Sequence, residues 1–210
     1  MPLPITNKMP KLKVDRKLVN DFLLCQLIGA GIGTDKKFEQ YRTNYVRLVD
    51  KAIHEYNSVR EAVTCQIEDK KRGIFILPII NHMENCINAT NRANKILKRI
   101  ISNPGNGFDF DRAAKRMVDS YINNAGISDL RNTIEHIEEC ILNDEIQNDE
   151  KVALDISEDA SKIIIADKVL EINDLATLLK KLHEIGYEIA IYNVPDMKER
   201  EFKLLKLKAR

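Results

Sequence analysis

The stretch Phe38–Ile67, FEQYRTNYVRLVDKAIHEYNSVREAVTCQI, decides the fold class. Its apolar residues are Phe38, Tyr41, Tyr45, Leu48, Ala52, Tyr56, Val59, Val63 and Ile67, and they follow one another at steps of three and four. An α-helix places such residues on a single face, whereas a strand would alternate them. The spacing predicts one long helix over 35–70, ended by Gly73. A helix of that length with one apolar face needs other helices to cover it.

Working outward, the same period appears on both sides. Before it, Leu18, Phe22, Cys25 and Ile28 predict a helix from about Val14 to Ile32. The cluster GAGIG at 29–33 reads as its stop; no apolar strand precedes it, so it is not a phosphate-cradling loop. After it, Pro78 suits a helix start, since its missing N–H is one of the unpaired groups there anyway. Ile79, Met83, Cys86, Ala93, Leu97 and Ile100 carry that third helix to about Ile101, with Thr90 filling the gap. SNPGNG at 102–107 is a turn. A fourth helix is expected over 109–123, and a fifth from Ser128 or Asp129 to about Ile146.

Beyond QNDEK at 147–151 the pattern changes. VALDI, KIII and DKVLEI are short and rich in β-formers. LATLLKKLHEI then reads as a short helix ending at Gly186, and YEIAIYNV at 187–194 alternates as a strand. The expected fold is mainly α: a helical bundle with a small C-terminal α+β appendage of β-hairpin, helix and strand. The expected division is a flexible tail over 1–13, a helical domain over 14–148, the appendage over 151–196 and a basic amphipathic tail over 197–210.

Composition narrows the function classes. Hydrophobic residues make up 44% of the 210, enough for a proper core, and the net charge is only +1. A whole-chain field for polyanions is therefore not expected. Charge is nonetheless uneven. Residues 1–20 carry five basic groups against one acidic, residues 197–210 six against two, and residues 127–150 one against eight. Four widely spaced cysteines, Cys25, Cys65, Cys86 and Cys140, form no CxxC pair and read as reduced, mostly buried side chains. The start MPLPITNKMPKLK has no apolar signal-peptide core, and no run of about 18 apolar residues exists. A soluble, cytoplasmic protein is expected.

One short segment carries chemistry-bearing residues in an unusual density: DLRNTIEHIEE, Asp129–Glu139. Ile127, Leu130, Ile134, Ile137 and Ile141 fall within about 80° of one another on a helix and form its core stripe. His136 lies opposite, with Asn132, Glu139 and Asn143, so it is no core histidine. Arg131 sits between the faces, one turn from Glu135. Two readings stand. His136 is a solvated surface group and Arg131–Glu135 a surface pair of a few tenths of a kcal/mol. Alternatively, the Asn132/His136 face meets a cleft or a second subunit.

The pattern Arg131-Asn132-Thr133-Ile134-Glu135-His136 resembles the HEPN domain family, helical modules whose last core helix carries Arg, four to six residues, then His, with a polar residue commonly following the Arg. The resemblance covers roughly 14–148. It implies an HEPN-like helical bundle and a homodimer that brings two copies of the motif together. It also implies metal-independent cleavage of RNA by Arg131, Asn132 and His136. The residue types suit that chemistry: His136 to move the proton of a 2′-hydroxyl, Arg131 to hold the phosphate, Asn132 to orient. Other members of the family are non-catalytic modules that bind RNA, a nucleotide or a protein, and that alternative stands beside the first. Some related toxins carry a Tyr two or three residues after the His; here those places are Glu138 and Glu139. The acidic balance of 127–150 repels RNA phosphate. Arg92, Lys95, Lys98 and Arg99 offset it if they line the same cleft; otherwise they complement the dipole at a helix end. His82, Glu84 and Asn85 are weaker candidates, and His54 and His183 read as surface groups. No metal-ligand spacing and no cofactor motif is present, so neither is expected. Expected partners are a second copy, RNA and a protein, but no membrane.

Overall fold

The structure, a computed structural model, describes residues 4–14, 16–27, 36–69, 75–102, 120, 126–143 and 151–191. Among them are five helices and three strands: α1 (Leu18–Leu27), α2 (Lys36–Asp69), α3 (Ile76–Ser102), α4 (Ile127–Leu142), β1 (Lys151–Ile156), β2 (Lys162–Ala166), β3 (Lys168–Glu171) and α5 (Ile172–Ala190). The fold is mainly α with a small antiparallel sheet near the C-terminal end of the described chain. The glycine cluster at 29–33, Gly73, the SNPGNG turn after Ser102, the helix expected over 109–123 apart from Ser120, and the tail at 197–210 lie outside the described residues.

The stripe that opened the sequence reading is the spine of the core. Phe38, Tyr45, Leu48, Ala52, Tyr56, Val59 and Val63 of α2 are buried, as are Ile79, Met83, Cys86, Thr90, Ala93, Leu97 and Ile100 of α3, and the two helices pack along each other. Thr90 fills its apolar position by donating its hydroxyl to the Cys86 carbonyl at 2.7 Å. The start of α1 is capped from another helix. The Leu18 and Val19 N–H groups donate to the two carboxylate oxygens of Asp50 on α2, at 3.0 and 2.9 Å. A carboxylate there satisfies free amides and complements the positive end of the helix dipole.

The strands form a meander in the order β1-β2-β3. Ile163 pairs with Leu170 and Ile165 with Lys168 across β2 and β3. Ile163, Ile165 and Leu170 are buried while Val169 is exposed, so one face of the sheet joins the core. That face lies against α4 and α3.

Two expectations are corrected. The strand expected over 187–194 is not there in its first half. Residues 187–190 continue α5 as helix, straight through Gly186. Ile185, Ile189 and Ala190 are buried at helical spacing, and the local alternation of Tyr187–Ile191 is outvoted by them. Gly186 does not stop the helix; it lets α1 approach. A Cβ there would collide with Leu18 Cδ1 and sit 3.4 Å from Tyr45 Cε1. Tyr45 donates to the Leu182 carbonyl at 2.9 Å, and the wholly buried Arg42 donates to Ala190 O at 2.6 Å and to Glu39 at 3.1 Å. These contacts bind α5 into the same core as α1 and α2.

The second correction concerns the N-terminal segment, expected to be a flexible tail. Residues 4–14 are laid along α2 instead. Met9 and Leu12 are buried. Tyr56, Asn57 and Arg60 donate to the carbonyls of Pro10, Leu12 and Met9 at 2.9, 3.1 and 3.1 Å. Asn7 donates its amide to Arg60 O at 3.1 Å. At its near end the strap meets the β1–β2 turn, where Ile5 N–H reaches Glu158 O at 2.7 Å and Lys8 N–H reaches Asp159 O at 3.0 Å.

Candidate functional site

The helix α4 is held by its apolar stripe. Ile127 and Leu130 are buried, and Ile134 and Ile137 are partly buried against the core. That anchoring fixes which side chains face outward. Asn132, Glu135, His136 and Glu139 are exposed, and Arg131 is half-buried at the edge. The side chain of His136 is 56% exposed, on the side away from the core.

The motif residues are not bare. Arg131 is ion-paired with Glu135 one turn on, and its guanidinium also donates to Asn132 Oδ1 at 3.3 Å. His136 Nδ1 lies 3.0 Å from a carboxylate oxygen of Glu139. Arg131 and Asn132 are thus brought together, while His136 stands a turn beyond on the same ridge. Both contacts sit at the surface, where such pairs contribute only about 0.3–0.5 kcal/mol, and the one to His136 is an ion pair only when the imidazole is protonated. With Glu139 on Nδ1, the other ring nitrogen, Nε2, has no hydrogen-bond partner among the described residues.

The expected cations lie on the neighbouring helix. Arg92, Lys95, Lys98 and Arg99 of α3 are all exposed, and none of the four is ion-paired among the described residues. Lys95 and Lys98 share a cavity of about 190 Å³ with Gly126, Ser128 and Asp129 at the start of α4. Arg92 and Arg99 do not line it. Two of the four cations therefore stand at the N-terminal end of the motif helix.

His82, read as a weaker candidate, has Nδ1 2.7 Å from Glu55 on α2, a pairing across 27 positions that local spacing does not reveal. Burial raises the carboxyl of Glu84. His54 is exposed, and His183 Nε2 lies 3.1 Å from Arg16 O. A larger open groove of about 500 Å³ runs between the strap and α5, with Lys13, Arg16, Lys180, His183, Glu184 and Glu188 on its walls. It holds no motif residue and its cations face two carboxylates, so size alone does not make it the site. Cys25 and Cys86 are buried and Cys65 is exposed. Burial pushes the Cys86 thiol up to about 12, which leaves it unreactive. Among the described residues no three His, Cys, Asp or Glu side chains converge as a metal site, and no helix is long and apolar enough to cross a membrane.

Sequence reasoning missed Asn91 and Asn94 of α3, both buried at 4% exposure. The signal was available: Asn94 falls between Thr90 and Leu97 at steps of four and three, a polar residue on an apolar face.

Compared with known proteins, the chain matches no family model, no curated protein and no solved structure.

Proposed function

We propose that the protein is a cytoplasmic, HEPN-like RNA-binding module that cleaves single-stranded RNA without metal when two copies join their α4 faces. The observation that carries the reading is the shared cavity of α3 and α4. It puts Lys95 and Lys98 beside the helix that bears Arg131, Asn132 and His136. RNA affinity comes mainly from cations meeting phosphates, and these lysines offset the carboxylates of α4. In the cleavage step His136 Nε2 takes the proton from a ribose 2′-hydroxyl. The freed oxygen attacks the adjacent phosphorus, the 5′-oxygen of the next nucleotide leaves with a proton, and a 2′,3′-cyclic phosphate remains. Arg131 offsets the charge that builds on the phosphate oxygens. The proton returned to the leaving group comes from His136 of the second copy.

A second reading has its own observation. Glu135 and Glu139 occupy Arg131 and His136, and such acidic engagement suits a module that binds RNA or a protein without cutting it.

One experiment separates them. The full-length chain is incubated with single-stranded RNA in chelator, and the 3′ ends of the products are identified. The expected result is cyclic phosphate ends, with a rate that falls by about 10²–10⁴ in His136→Ala. Cleavage unchanged in His136→Ala, or lost on adding chelator to the parent protein, removes the catalytic assignment. Absence of cleavage with RNA binding that weakens in Arg131→Ala selects the non-catalytic module.

A further inference from the structure

The cavity between α3 and the first turn of α4 contains a feature that folding alone does not explain. Asn94 is 4% exposed, borders the cavity, and its Oδ1 is buried without a hydrogen-bond partner. Leaving a buried polar atom unpaired costs about 1–3 kcal/mol. Asn91, one turn earlier, borders the same space.

The other walls supply positive potential. Lys95 and Lys98 bring two ammonium groups, and Gly126, Ser128 and Asp129 at the N-terminus of α4 border the same space. The first helical hydrogen bond there is Leu130 N–H to Gly126 O at 2.9 Å, so the Ser128 and Asp129 N–H groups precede the ladder and have no place in it. Free amides and the helix dipole together favour an oxyanion. One group opposes: the Asp129 carboxylate, which the two lysines outnumber.

Size selects within that class. At about 190 Å³ the cavity holds the volume of several waters but falls below the roughly 300–1,000 Å³ of pockets for drug-sized ligands. A whole nucleotide does not fit inside; a phosphate with part of a sugar does. Asn94 borders that space and its amide N–H supplies a donor for a phosphate oxygen, while its buried Oδ1 is closed to the ligand.

We propose that this cavity is a phosphate subsite, in which Lys95, Lys98, the Ser128 and Asp129 N–H groups and the Asn94 amide hold a phosphate of the RNA backbone. It deepens the RNA reading but does not depend on cleavage. Ser128, Asn132 and His136 follow one another every fourth residue along α4, so the subsite lies about 12 Å along the helix from His136. A bound strand anchored here passes the motif one or two nucleotides further on.

The test uses the full chain and amide NMR at constant ionic strength set with chloride. The probes are inorganic phosphate, adenosine 3′-monophosphate and a short oligoadenylate RNA. The expected result is saturable shifts of the Ser128 and Asp129 amides and of the Asn94 side-chain amide with phosphate. Binding weakens by about tenfold or more in Lys95→Gln/Lys98→Gln, two exposed positions whose change leaves the fold intact. Asn94→Leu weakens phosphate binding and raises thermal stability. Asp129→Asn tightens phosphate. His136→Ala leaves phosphate binding unchanged, so failure of the subsite and failure of the cleavage reading are read separately. Shifts that the oligomer extends to Asn132 and His136 assign the source as an RNA chain; equal affinity for the mononucleotide assigns a free nucleotide. Absence of saturation at Ser128 and Asp129, or shifts unchanged by both the lysine and the Asn94 substitutions, overturns the proposal.

Discussion

Gly186 illustrates how one residue carries different meanings at different ranges. Along the chain it looks like a helix stop, because glycine follows an apolar helical run and an alternating segment comes next. In space it is a contact point, with Leu18 of α1 occupying the place of a side chain. This separates two opposing effects of Gly186→Ala. Helix propensity favours alanine by about 1 kcal/mol. Overpacking against a buried leucine costs about 1–3 kcal/mol. The expected outcome is a net loss of about 1 kcal/mol in urea unfolding, with Gly186→Ala recovering its propensity gain when combined with Leu18→Ala. An additive double-mutant cycle would show that the two side chains do not meet. Asn94 is the complementary case: its helical period was visible, but its missing partner belongs to three dimensions.

At the scale of elements, the helices were legible because their signal is local. The stripes of α2, α3 and α4 repeat within each segment, so no knowledge of neighbours is needed to place their buried faces. The β-rich character of the three short strands was legible for the same reason, but the expected hairpin is a three-stranded meander. The N-terminal strap was not, since residues 4–14 have no period and gain their order from side chains of α2 some 45 to 57 positions away. The Asn132/His136 ridge was readable as an outward face, but its engagement by Glu135 and Glu139 and the position of Lys95 beside Ser128 required the packed helices. The strap has a titratable clasp. Asp159 accepts hydrogen bonds from the Ser161 hydroxyl at 2.6 Å, Lys8 Nζ at 2.9 Å and the Ser157 hydroxyl at 2.8 Å, and these hold its carboxyl well below the usual range. A depressed folded-state value means the unfolded chain binds the proton first as pH falls. The clasp is therefore fully stabilising above the ordinary carboxyl value of about 4 and is lost progressively below it. Asp159→Asn is expected to lower the urea midpoint at neutral pH and to flatten its decline below about pH 5. An acid limb as steep as the parent's would show that this carboxylate does not clasp the strap.

For the whole molecule, one core joins the five described helices and the sheet, and the motif lies on its outer surface. A catalytic role then needs a second surface to exclude water and supply a second histidine, and a two-fold pairing of α4 provides both. The charges on the helix suit such a pairing. Arg131 lies near its start and Glu139 near its end, so an antiparallel two-fold sets the Arg131 of each copy against the acidic end of the other. We predict a homodimer at micromolar concentration by sedimentation, weakened by salt because its charged contacts are screened. Glu139→Arg should shift it to monomer, since like charges then oppose across the axis, and Arg131→Glu/Glu139→Arg should restore the dimer with the signs exchanged. His136→Ala should leave it intact. The exposed leucines of α1, Leu23, Leu24 and Leu27, offer a rival apolar surface, and Leu27→Glu distinguishes it. A monomer throughout the concentration range, or a dimer lost in Leu27→Glu and indifferent to Glu139→Arg, would move the interface away from α4 and remove the second histidine from the cleavage scheme.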